Sequence, residues 1–156
     1  MDRQKVKIEI RDERLGQTIP IPFKATPGAA GYDLHAAIEL PIYIPSGRRA
    51  VIPCGFSVEL PPGFEMQIRP RSGLALDHGL TVLNAPGTID PDYRGEVKVI
   101  LINLGDEEVC VNVGARIAQA VVSRYETVDF DHHQKLSATE RGENGFGSTG
   151  TGPLKE

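Results

Sequence analysis

Residues 141–152 form a segment whose composition is suited to binding an anion. They read Arg-Gly-Glu-Asn-Gly-Phe-Gly-Ser-Thr-Gly-Thr-Gly, so five of the twelve positions are glycine. Glycine leaves backbone N–H groups open to a ligand, and Arg141, Ser148 and Thr149 add side-chain donors. The match to G-x-G-x-x-G at 145–150 lacks the flanking strand and helix of a dinucleotide-binding fold, so we do not interpret it as one. A disordered terminus is the alternative, but the lone aromatic Phe146 favours a segment that docks on a surface.

A second group of cations lies at residues 69–73, which read Arg-Pro-Arg-Ser-Gly. The guanidinium groups of Arg69 and Arg71 match the geometry of a phosphate, and the segment follows a strand pattern and opens a helical turn. The alternative is that Ser72 is an ordinary helix N-cap beside surface arginines. The local pattern alone favours this second interpretation.

Residues 84–96 place an unusual amount of polar chemistry in one bend between two apolar strand patterns. The bend contains Asn84, Asp90, Asp92 and Tyr93. A carboxylate is ionised at neutral pH and can orient or deprotonate a water molecule. The alternative is turn chemistry, because Asn, Pro, Gly and Asp are the residues that bends contain. Composition does not decide between Asp90 and Asp92.

Three further candidates are weaker. His132 and His133 are adjacent and lack the i, i+4 spacing of a helical zinc site, so we expect an exposed loop pair. Asp33 follows a glycine-containing segment, and its local context favours a turn residue over a site residue. Cys54 and Cys110 are far apart and predict two buried free thiols in a reducing compartment.

Short strands with frequent turns are the elements that must position these residues. Apolar patterns predict strands at 6–10, 38–44, 50–52, 55–60, 64–69, 96–104, 109–113 and 116–123. Residues 18–23 should be extended, and the one credible helix lies near 73–77. The strand at 6–10 should be half-buried, whereas the strand at 96–104 is apolar on both faces and should be covered on both sides. About nine or ten strands separated by frequent turns are typical of a sandwich, a jelly roll or a barrel.

Composition limits the class of protein. The 156 residues suit one domain, and 17 glycines with 12 prolines indicate many turns. The net charge of −4 argues against general nucleic-acid binding or binding to an anionic membrane. Residues 1–5 are charged, and no apolar run approaches the ~18 residues of a membrane span, so we expect a cytoplasmic protein.

Five segments, taken in order, resemble the five motifs of the trimeric dUTP pyrophosphatases (dUTPases). They are Ala-Gly-Tyr-Asp-Leu-His-Ala at 30–36, Pro-Arg-Ser-Gly-Leu-Ala at 70–75, Gly-Thr-Ile-Asp-Pro-Asp-Tyr-Arg-Gly-Glu at 87–96, Gly-Ala-Arg-Ile-Ala-Gln at 114–119, and Arg-Gly-Glu-Asn-Gly-Phe-Gly-Ser-Thr-Gly at 141–150. Each segment is a weak signal alone. Their order and their spread over nearly the whole chain make the match specific.

The resemblance implies an all-β fold: a jelly-roll-like β-barrel subunit of the β-clip type, with one short helix and a glycine-rich C-terminal arm. Residues 1–138 would form the β domain, and residues 139–156 would form a flexible arm that closes the active site of a neighbouring subunit in a homotrimer. The implied activity is hydrolysis of dUTP to dUMP and pyrophosphate by water attack on the α-phosphate. This reaction limits uracil in DNA and supplies dUMP for dTMP synthesis. The implied cofactor is Mg²⁺, held by phosphate oxygens and water.

The resemblance also implies a role for each matched residue. Asp90 would activate the water, and Tyr93 would pack under the sugar and leave no room for a 2′-hydroxyl. Asp33 would join the polar network near the metal, with no direct ligand needed. Phe146 would stack over uracil. The active sites would lie at subunit interfaces. The remaining implied contacts to substrate come from Arg71, Ser72 and Gly73 of a second subunit at the phosphates, with Gln119 in support, from Asn84, Thr88, Ile89 and Lys98 at uracil, and from Arg141, Gly147 and Ser148 in the arm.

The chain departs from the family pattern at two positions, and three different functions remain open. Asn144 stands where the family often has Gly, and Asn tolerates a positive φ. Pro86 lies beside the uracil-reading bend and stiffens it. The dCTP deaminase branch shares the fold, but its third motif lacks the tyrosine that this chain has at Tyr93. The second function is that of a trimer that binds nucleotide or a host protein without turnover, and the third is that of a purely structural β domain.

Overall fold

Short antiparallel strands make up most of the fold in the computed structural model, which describes residues 4–150 and 152–153. In chain order the elements are β1 (Lys7–Ile10), β2 (Tyr32–His35), β3 (Ile42–Ile44), β4 (Arg49–Pro53), β5 (Phe56–Glu59), β6 (Phe64–Arg69), α1 (Ser72–His78), β7 (Leu80–Val82), β8 (Gly87–Ile89), β9 (Lys98–Asn103), β10 (Val109–Val111) and β11 (Arg116–Arg124). The predicted all-β class with one short helix is confirmed.

Strands that are distant in sequence pair in four sheets. The largest sheet has the order β2-β11-β6-β8, the second has the order β4-β9-β7, and two further pairs are β1-β5 and β3-β10. Every one of these ladders is antiparallel. Because β11 lies between β2 and β6, it brings the second half of the chain against the first. Of the residues predicted to bind substrate, the four-stranded sheet carries Thr88 and Ile89 on β8 and Gln119 on β11.

The core is formed by alternate residues of the central strands. On β9, Val99 and Leu101 are fully buried, while Ile100 and Ile102 face outward and are only half-buried. We predicted that both faces of this strand would be covered. Within one chain, only the inner face is completely covered. Asn103 is a buried polar residue of β9, and its amide donates to the carbonyls of Ile44 and Glu107 at 2.9 and 2.7 Å. Burial of this amide is tolerated because its donors are satisfied.

The structure corrects three expectations about single elements. All four residues of β1 are exposed, so the strand is not half-buried, because it pairs only with β5 at the edge of the molecule. Cys54 is buried as predicted, but Cys110 is exposed, because the short β3-β10 pair leaves one of its faces open. The helix N-cap is Arg71 instead of Ser72, and it makes no side-chain capping hydrogen bond.

The chain leaves the folded body after β11. The backbone N–H of Tyr125 still donates to the Gly63 carbonyl at 3.1 Å. From residue 126 onward every described residue is exposed except Gly145, which is half-buried. The exposed stretch thus begins upstream of residue 139, where the arm was predicted to start. None of the described helices is both long and apolar enough to span a membrane.

Candidate active site

One carboxylate and two arginines form the first polar cluster, which we call the cation cluster (Asp33, Arg71 and Arg116). Strand β2 carries Asp33 and pairs with β11, so that Asp33 lies opposite Gln119 and His35 lies opposite Arg116. The Arg116 Nη1 atom is 3.4 Å from Asp33 Oδ2, and the Arg71 Nε atom is 3.6 Å from Asp33 Oδ1. Arg71 Nη1 also donates to the Arg116 carbonyl at 3.3 Å. Three segments that are far apart in sequence therefore converge on one carboxylate.

The cation cluster carries a surplus positive charge that faces solvent. Two guanidinium groups meet a single carboxylate, and the Asp33 side chain is only 11% exposed whereas that of Arg116 is 48% exposed. The buried anion orients the two cations, and the exposed guanidinium edges stay free for a second anion. Arginine binds phosphate oxygens in this geometry through paired hydrogen bonds. The local turn interpretation of Asp33 is wrong, because the residue belongs to β2 and is buried.

Gln119 helps to position the segment that carries Arg71. Its Nε2 atom donates to the Pro70 carbonyl at 3.0 Å, which fixes the residue before Arg71. A β-carbon at Gly31 would lie within 3.1 Å of Gln119 Cδ, so the absence of a side chain at Gly31 leaves room for the glutamine. Ser72 and Gly73 are exposed at the start of α1, on the solvent side of the same cluster.

His35 lies behind the cation cluster. Its ring stacks on Phe23 with a centroid distance of 5.6 Å, and it is almost fully buried. Its Nδ1 atom has no hydrogen-bond partner among the described residues. Burial lowers the pKa of His35 below its ordinary value, the Asp33 charge acts in the opposite direction, and the Arg116 and Arg71 charges lower it further. The ring is therefore neutral at pH 7 and adds no charge to the cluster.

The second polar cluster is the bend that follows β8. Strand β8 pairs with β6, with Thr88 opposite Gln67 and Ile89 opposite Met66. The Tyr93 N–H donates to the Asp90 carbonyl at 3.2 Å, which closes a turn around the Asp90 side chain. That side chain is exposed. No hydrogen bond or ion pair to another described residue engages its carboxylate, so the carboxylate is free to contact a water molecule.

Arginines and a buried valine hold the bend in place. Arg94 Nη1 donates to the Pro91 carbonyl at 2.6 Å, and Arg11 Nη2 donates to the Arg94 carbonyl at 3.3 Å. Val97 is fully buried and closes the bend through backbone hydrogen bonds to Cys54 and Phe56. The position of the bend therefore depends on β1, β4 and β5 as well as on its own sequence.

Tyr93 and Glu96 form the far side of the bend. The Tyr93 hydroxyl donates to the Glu96 carbonyl at 3.1 Å, and the Tyr93 ring remains 42% exposed. The Glu96 carboxylate accepts from the Gly55 N–H at 3.0 Å and lies 4.0 Å from Lys98 Nζ. Lys98 is thus attached to the exit of the bend, next to Tyr93. An exposed aromatic face beside an exposed carboxylate can support a flat or ring-shaped ligand.

The entry of the bend contains Asn84 and the Ala85–Pro86 peptide bond, which is cis. A β-carbon at Gly87 would lie 3.3 Å from the Asn84 Nδ2 atom and 3.2 Å from Ile68 Cβ. The Asn84 amide therefore lies over the Gly87 backbone, at the start of β8. Asn84 and Thr88 are exposed and Ile89 is half-buried, so side chains and backbone of this entry are open to a ligand.

The described part of the arm makes no hydrogen bond or ion pair with either cluster of its own chain. The described hydrogen bonds of residues 139–150 are local, and they include Arg141 Nε to the Asn144 carbonyl at 2.9 Å. Phe146 is fully exposed and has a φ of 48°, whereas the N–H of Ser148 donates to Gly145. The positive φ falls on Phe146 and not on Asn144. The tolerance of asparagine for a positive φ is therefore not used at Asn144.

Sequence reasoning named most members of these clusters but missed four of them. Arg116 was part of the fourth motif, and only its contact with Asp33 reveals its place in the cluster. His35, Gly95 and Glu96 were quoted in motifs without a role. His35 contacts Phe23 and Glu96 contacts Gly55, and contacts between residues so far apart in sequence leave no local pattern. No described hydrogen bond or ion pair joins the cation cluster to the bend, although β6 connects both within one sheet.

The donor groups bear on how a divalent cation would be held. Within residues 4–150 and 152–153, no group of three or more His, Cys, Asp or Glu side chains is arranged to hold a metal ion. Asp33 is engaged by two arginines, and Asp90 is a single exposed carboxylate. This donor set fits a magnesium ion that takes most of its ligands from phosphate oxygens and water, which is the usual state of this ion.

Comparison with known sequences gives one family. The dUTPase family model matches residues 17–150. The deoxyuridine 5′-triphosphate nucleotidohydrolase of Treponema denticola is 57% identical over 130 residues, which cover 83% of this chain and 90% of that protein. The protein of the same name from Rickettsia felis is 55% identical over 130 residues, with 83% and 88% covered. That of Caulobacter vibrioides is 54% identical over 134 residues, with 85% and 86% covered.

Comparison with solved structures gives the same fold. The dUTPase of Staphylococcus bacteriophage 80alpha, solved with dUPNHPP, has a TM-score of 0.80 and 24% identity, covering 94% of this chain and 99% of that one. A mutant dUTPase of phage phi11 of S. aureus, described with a structural Mg(II) ion, has a TM-score of 0.74 and 18% identity, covering 86% and 99%. These likenesses confirm the jelly-roll class of the fold.

Proposed function

Because the chain belongs to the dUTPase family, we propose that it is a dUTP diphosphatase that hydrolyses dUTP to dUMP and pyrophosphate. The observation that carries the proposal is that the chain presents both a solvent-facing cation cluster and a bend with an unpaired carboxylate and an aromatic ring. The cation cluster suits a triphosphate. The bend suits a nucleoside and the water molecule that attacks the phosphate.

In the proposed reaction, Asp90 accepts a proton from the attacking water. The water oxygen forms a bond to the α-phosphorus, the bond from that phosphorus to the bridging oxygen breaks, and pyrophosphate leaves with the electron pair. The exposure of Asp90 and its freedom from described partners support this role. A positioned general base contributes about 10²- to 10⁴-fold to a rate.

Arg71 and Arg116 would stabilise the phosphate charge as it develops. Both guanidinium groups are oriented before substrate arrives, because Asp33 holds them at 3.6 and 3.4 Å. Preorganised charges of this kind lower a barrier without reorganisation during the reaction. Gln119, Ser72 and Gly73 would complete the phosphate site, and Arg141 would reach the terminal phosphate from the arm.

The bend would bind the nucleoside. Tyr93 would lie under the deoxyribose, while Asn84, Thr88 and Ile89 would read uracil through side-chain and backbone groups. Lys98 would close the far side of the pocket. The exposure of Asn84 and Thr88 and the closeness of Asn84 to Gly87 support this assignment. Phe146, Gly147 and Ser148 would cover the base from the arm.

We assign the arm to a neighbouring copy in a homotrimer. Phe146 is fully exposed, and the described arm makes no hydrogen bond or ion pair with either polar cluster of its own chain. The outer face of the β4-β9-β7 sheet supports an assembly, because Val51 and Leu83 are exposed and adjoin the half-buried Ile100 and Ile102. An apolar sheet face of this kind is normally covered in the functional state.

Mg²⁺ would bind between the phosphate oxygens, with water completing its shell and Asp33 in reach only through water. When bound, the ion would neutralise phosphate charge and orient the chain of phosphates. The roles of the chain's own residues would be the same with the ion bound. The arginines would bind phosphate, Tyr93 would orient the sugar, and Asp90 would accept the proton of the attacking water. A free nucleotide substrate is consistent with action in the cytoplasm.

The test is release of pyrophosphate from dUTP in the presence of Mg²⁺, with dCTP, dTTP and UTP in parallel. We expect selective turnover of dUTP, and a fall in kcat of at least ~10²-fold in Asp90→Asn, since the base is lost. Asp92→Asn is the matched control, because Asp92 is an exposed carboxylate two residues away.

Three results would favour a different function or a different base. Ammonia release from dCTP would move the protein to the deaminase branch. Tight binding of dUTP without turnover of any nucleotide would make it a binding protein. A loss in Asp92→Asn with normal turnover in Asp90→Asn would transfer the role of the base to Asp92.

A further inference from the structure

The ring of Tyr93 folds back onto the backbone of Gly95, two residues later in the chain. A β-carbon built at Gly95 would lie 2.5 Å from Tyr93 Cζ and 2.9 Å from Tyr93 Cε2, and it would also collide with the Tyr93 hydroxyl. Carbon atoms in ordinary contact are about 3.5–4.0 Å apart. The ring would therefore have to move by about 1 Å to admit even a methyl group.

Space, and not backbone conformation, is what requires glycine at this position. Gly95 is not among the glycines with a positive φ, so its backbone is one that other residues can adopt. Gly28 is a useful contrast, because it also lacks a positive φ, yet a β-carbon there would meet nothing within 4 Å. The two glycines differ in their surroundings, because an aromatic ring occupies the place of a β-carbon at Gly95 and not at Gly28.

Three contacts set the position of the Tyr93 ring. Its hydroxyl donates to the Glu96 carbonyl at 3.1 Å, its backbone N–H donates to the Asp90 carbonyl at 3.2 Å, and its ring rests on Gly95. Glu96 is itself held by the Gly55 N–H at 3.0 Å. Tyr93 is 42% exposed, so its contact with Gly95 is one of the described contacts that keep the ring against the bend.

We propose that Gly95 is a positioning residue that sets the selectivity of the site between 2′-deoxyribonucleotides and ribonucleotides. Because Gly95 has no side chain, the Tyr93 ring can pack directly on the backbone of the bend. In that position the ring forms the wall beneath the sugar. The inference rests on the proposed function, because Tyr93 has this role only if the bend binds a nucleoside. Gly95 itself touches no substrate and acts through the ring.

The direct test compares Gly95→Ala with Gly28→Ala as the matched control, using kcat and KM for dUTP and for UTP. We expect the ratio of the two kcat/KM values to fall at least ~10-fold in Gly95→Ala, since displacement by about 1 Å is enough to disturb a fitted contact. The change should be mainly in KM for dUTP, because Asp90 and the arginines are untouched. Gly28→Ala should leave both substrates unchanged.

A double-variant cycle shows whether Gly95 acts through the ring. In a Tyr93→Ala background the collision is gone, so adding Gly95→Ala should change the dUTP/UTP ratio less than about twofold. The same cycle applied to thermal unfolding needs no nucleotide. If Gly95→Ala destabilises the fold, Tyr93→Ala should relieve that loss, which keeps the test usable when the single variant folds poorly.

The outcomes separate this inference from the proposed function. Absence of dUTP turnover in the unmodified protein would overturn both. Turnover in the unmodified protein with unchanged selectivity in folded Gly95→Ala would overturn the inference alone. Equal effects of Gly95→Ala in the presence and absence of the Tyr93 ring would also overturn it, because the residue would then act by another route.

Discussion

His35 lies immediately behind the arginines that we assign to the phosphates, and its protonation would add a third cation there. The charged groups that influence it are Asp33, Arg116 and Arg71. Burial of the ring is the largest effect on its pKa, and it acts downward from the ordinary value. The stack on Phe23 and the unpartnered Nδ1 atom leave the imidazolium form without a compensating acceptor. Neutral His35 is therefore the form that the fold favours.

This lowered pKa predicts how stability depends on pH. Below the ordinary value of about 6.5 the unfolded chain binds a proton at His35 before the folded chain does. The contribution of this residue to stability is thus fully present above pH 6.5 and is lost as the pH falls through the folded pKa. We expect His35→Phe, which keeps an aromatic stack, to lose less stability than the unmodified protein between pH 7.5 and 5.5 in thermal unfolding.

His133 provides the control for this prediction, because it is exposed and its described ion pair is with Asp131 and not with the cation cluster. His133→Asn should show the pH dependence of the unmodified protein. If His35→Phe and the unmodified protein lose stability in parallel over this range, the ring does not titrate differently in the two states and the interpretation is wrong.

Single residues show where sequence reasoning was effective and where it was not. The motifs located Asp33, Arg71, Asp90 and Tyr93, but the local context of Asp33 favoured a turn. Its partner Arg116 is 83 residues away in sequence, and contacts at that separation leave no local pattern. The positive φ of Phe146 was likewise unexpected, because glycine and asparagine are the residues that usually adopt it.

Among the elements, strands with regular alternation were predicted closely, whereas three short strands were missed. Strand β6 matches its predicted range, and β4, β5, β9, β10 and β11 differ by one or two residues at their ends. Strands β2, β7 and β8 were not predicted. Each has only three or four residues, and β2 and β8 contain Gly or polar residues that serve the site. Function replaces the apolar pattern at these positions, so the strand signal is weak there.

The arm is the element whose removal separates folding from function. Deletion of residues 141–156 removes described residues whose hydrogen bonds stay within the arm, including that from the Gly142 N–H to Thr139 Oγ1 at 3.1 Å, so we expect the melting temperature to change by less than about 2 °C. The assembly should keep its number of subunits, as measured by light scattering. Turnover of dUTP should fall at least ~10²-fold, because Arg141 and Phe146 would no longer close the site.

A point variant serves as the control for the deletion. Phe146→Ala keeps the length of the arm and removes only the ring, so it should raise KM for dUTP with a smaller effect on kcat. A shortened chain with normal kcat would show that the arm is not part of the site. A shortened chain that dissociates or unfolds would show that the arm is structural.

In the whole molecule, the face of the β4-β9-β7 sheet that one chain leaves open is the feature that predicts an assembly. Val51 lies opposite Ile100 on neighbouring strands, and the Leu83 N–H donates to the Ile100 carbonyl at 2.9 Å. The sequence predicted that the central strand would be covered on both sides. Composition and periodicity contain no count of subunits, so the number three came from the resemblance and not from the pattern.

A charge placed on this face tests the assembly. We expect Val51→Lys to convert the proposed homotrimer to monomers in light scattering, because an interface on this face would have to bury an unpaired ammonium. Activity should fall with it, since each site would need groups from neighbouring chains. Leu40→Lys is the control, because Leu40 is 76% exposed and lies outside the four sheets. A Val51→Lys protein that stays trimeric would place the interface elsewhere.

The separation between the arm and the polar clusters of the same chain has a genetic consequence. If the arm of one chain completes the site of another, an allele without the arm and an allele without Asp90 are defective in different halves of the same site. A cell that expresses both would form mixed assemblies, in which the intact arm of one product meets the intact carboxylate of the other. Two recessive null alleles of this single gene would then complement each other, an outcome normally taken as the mark of two genes.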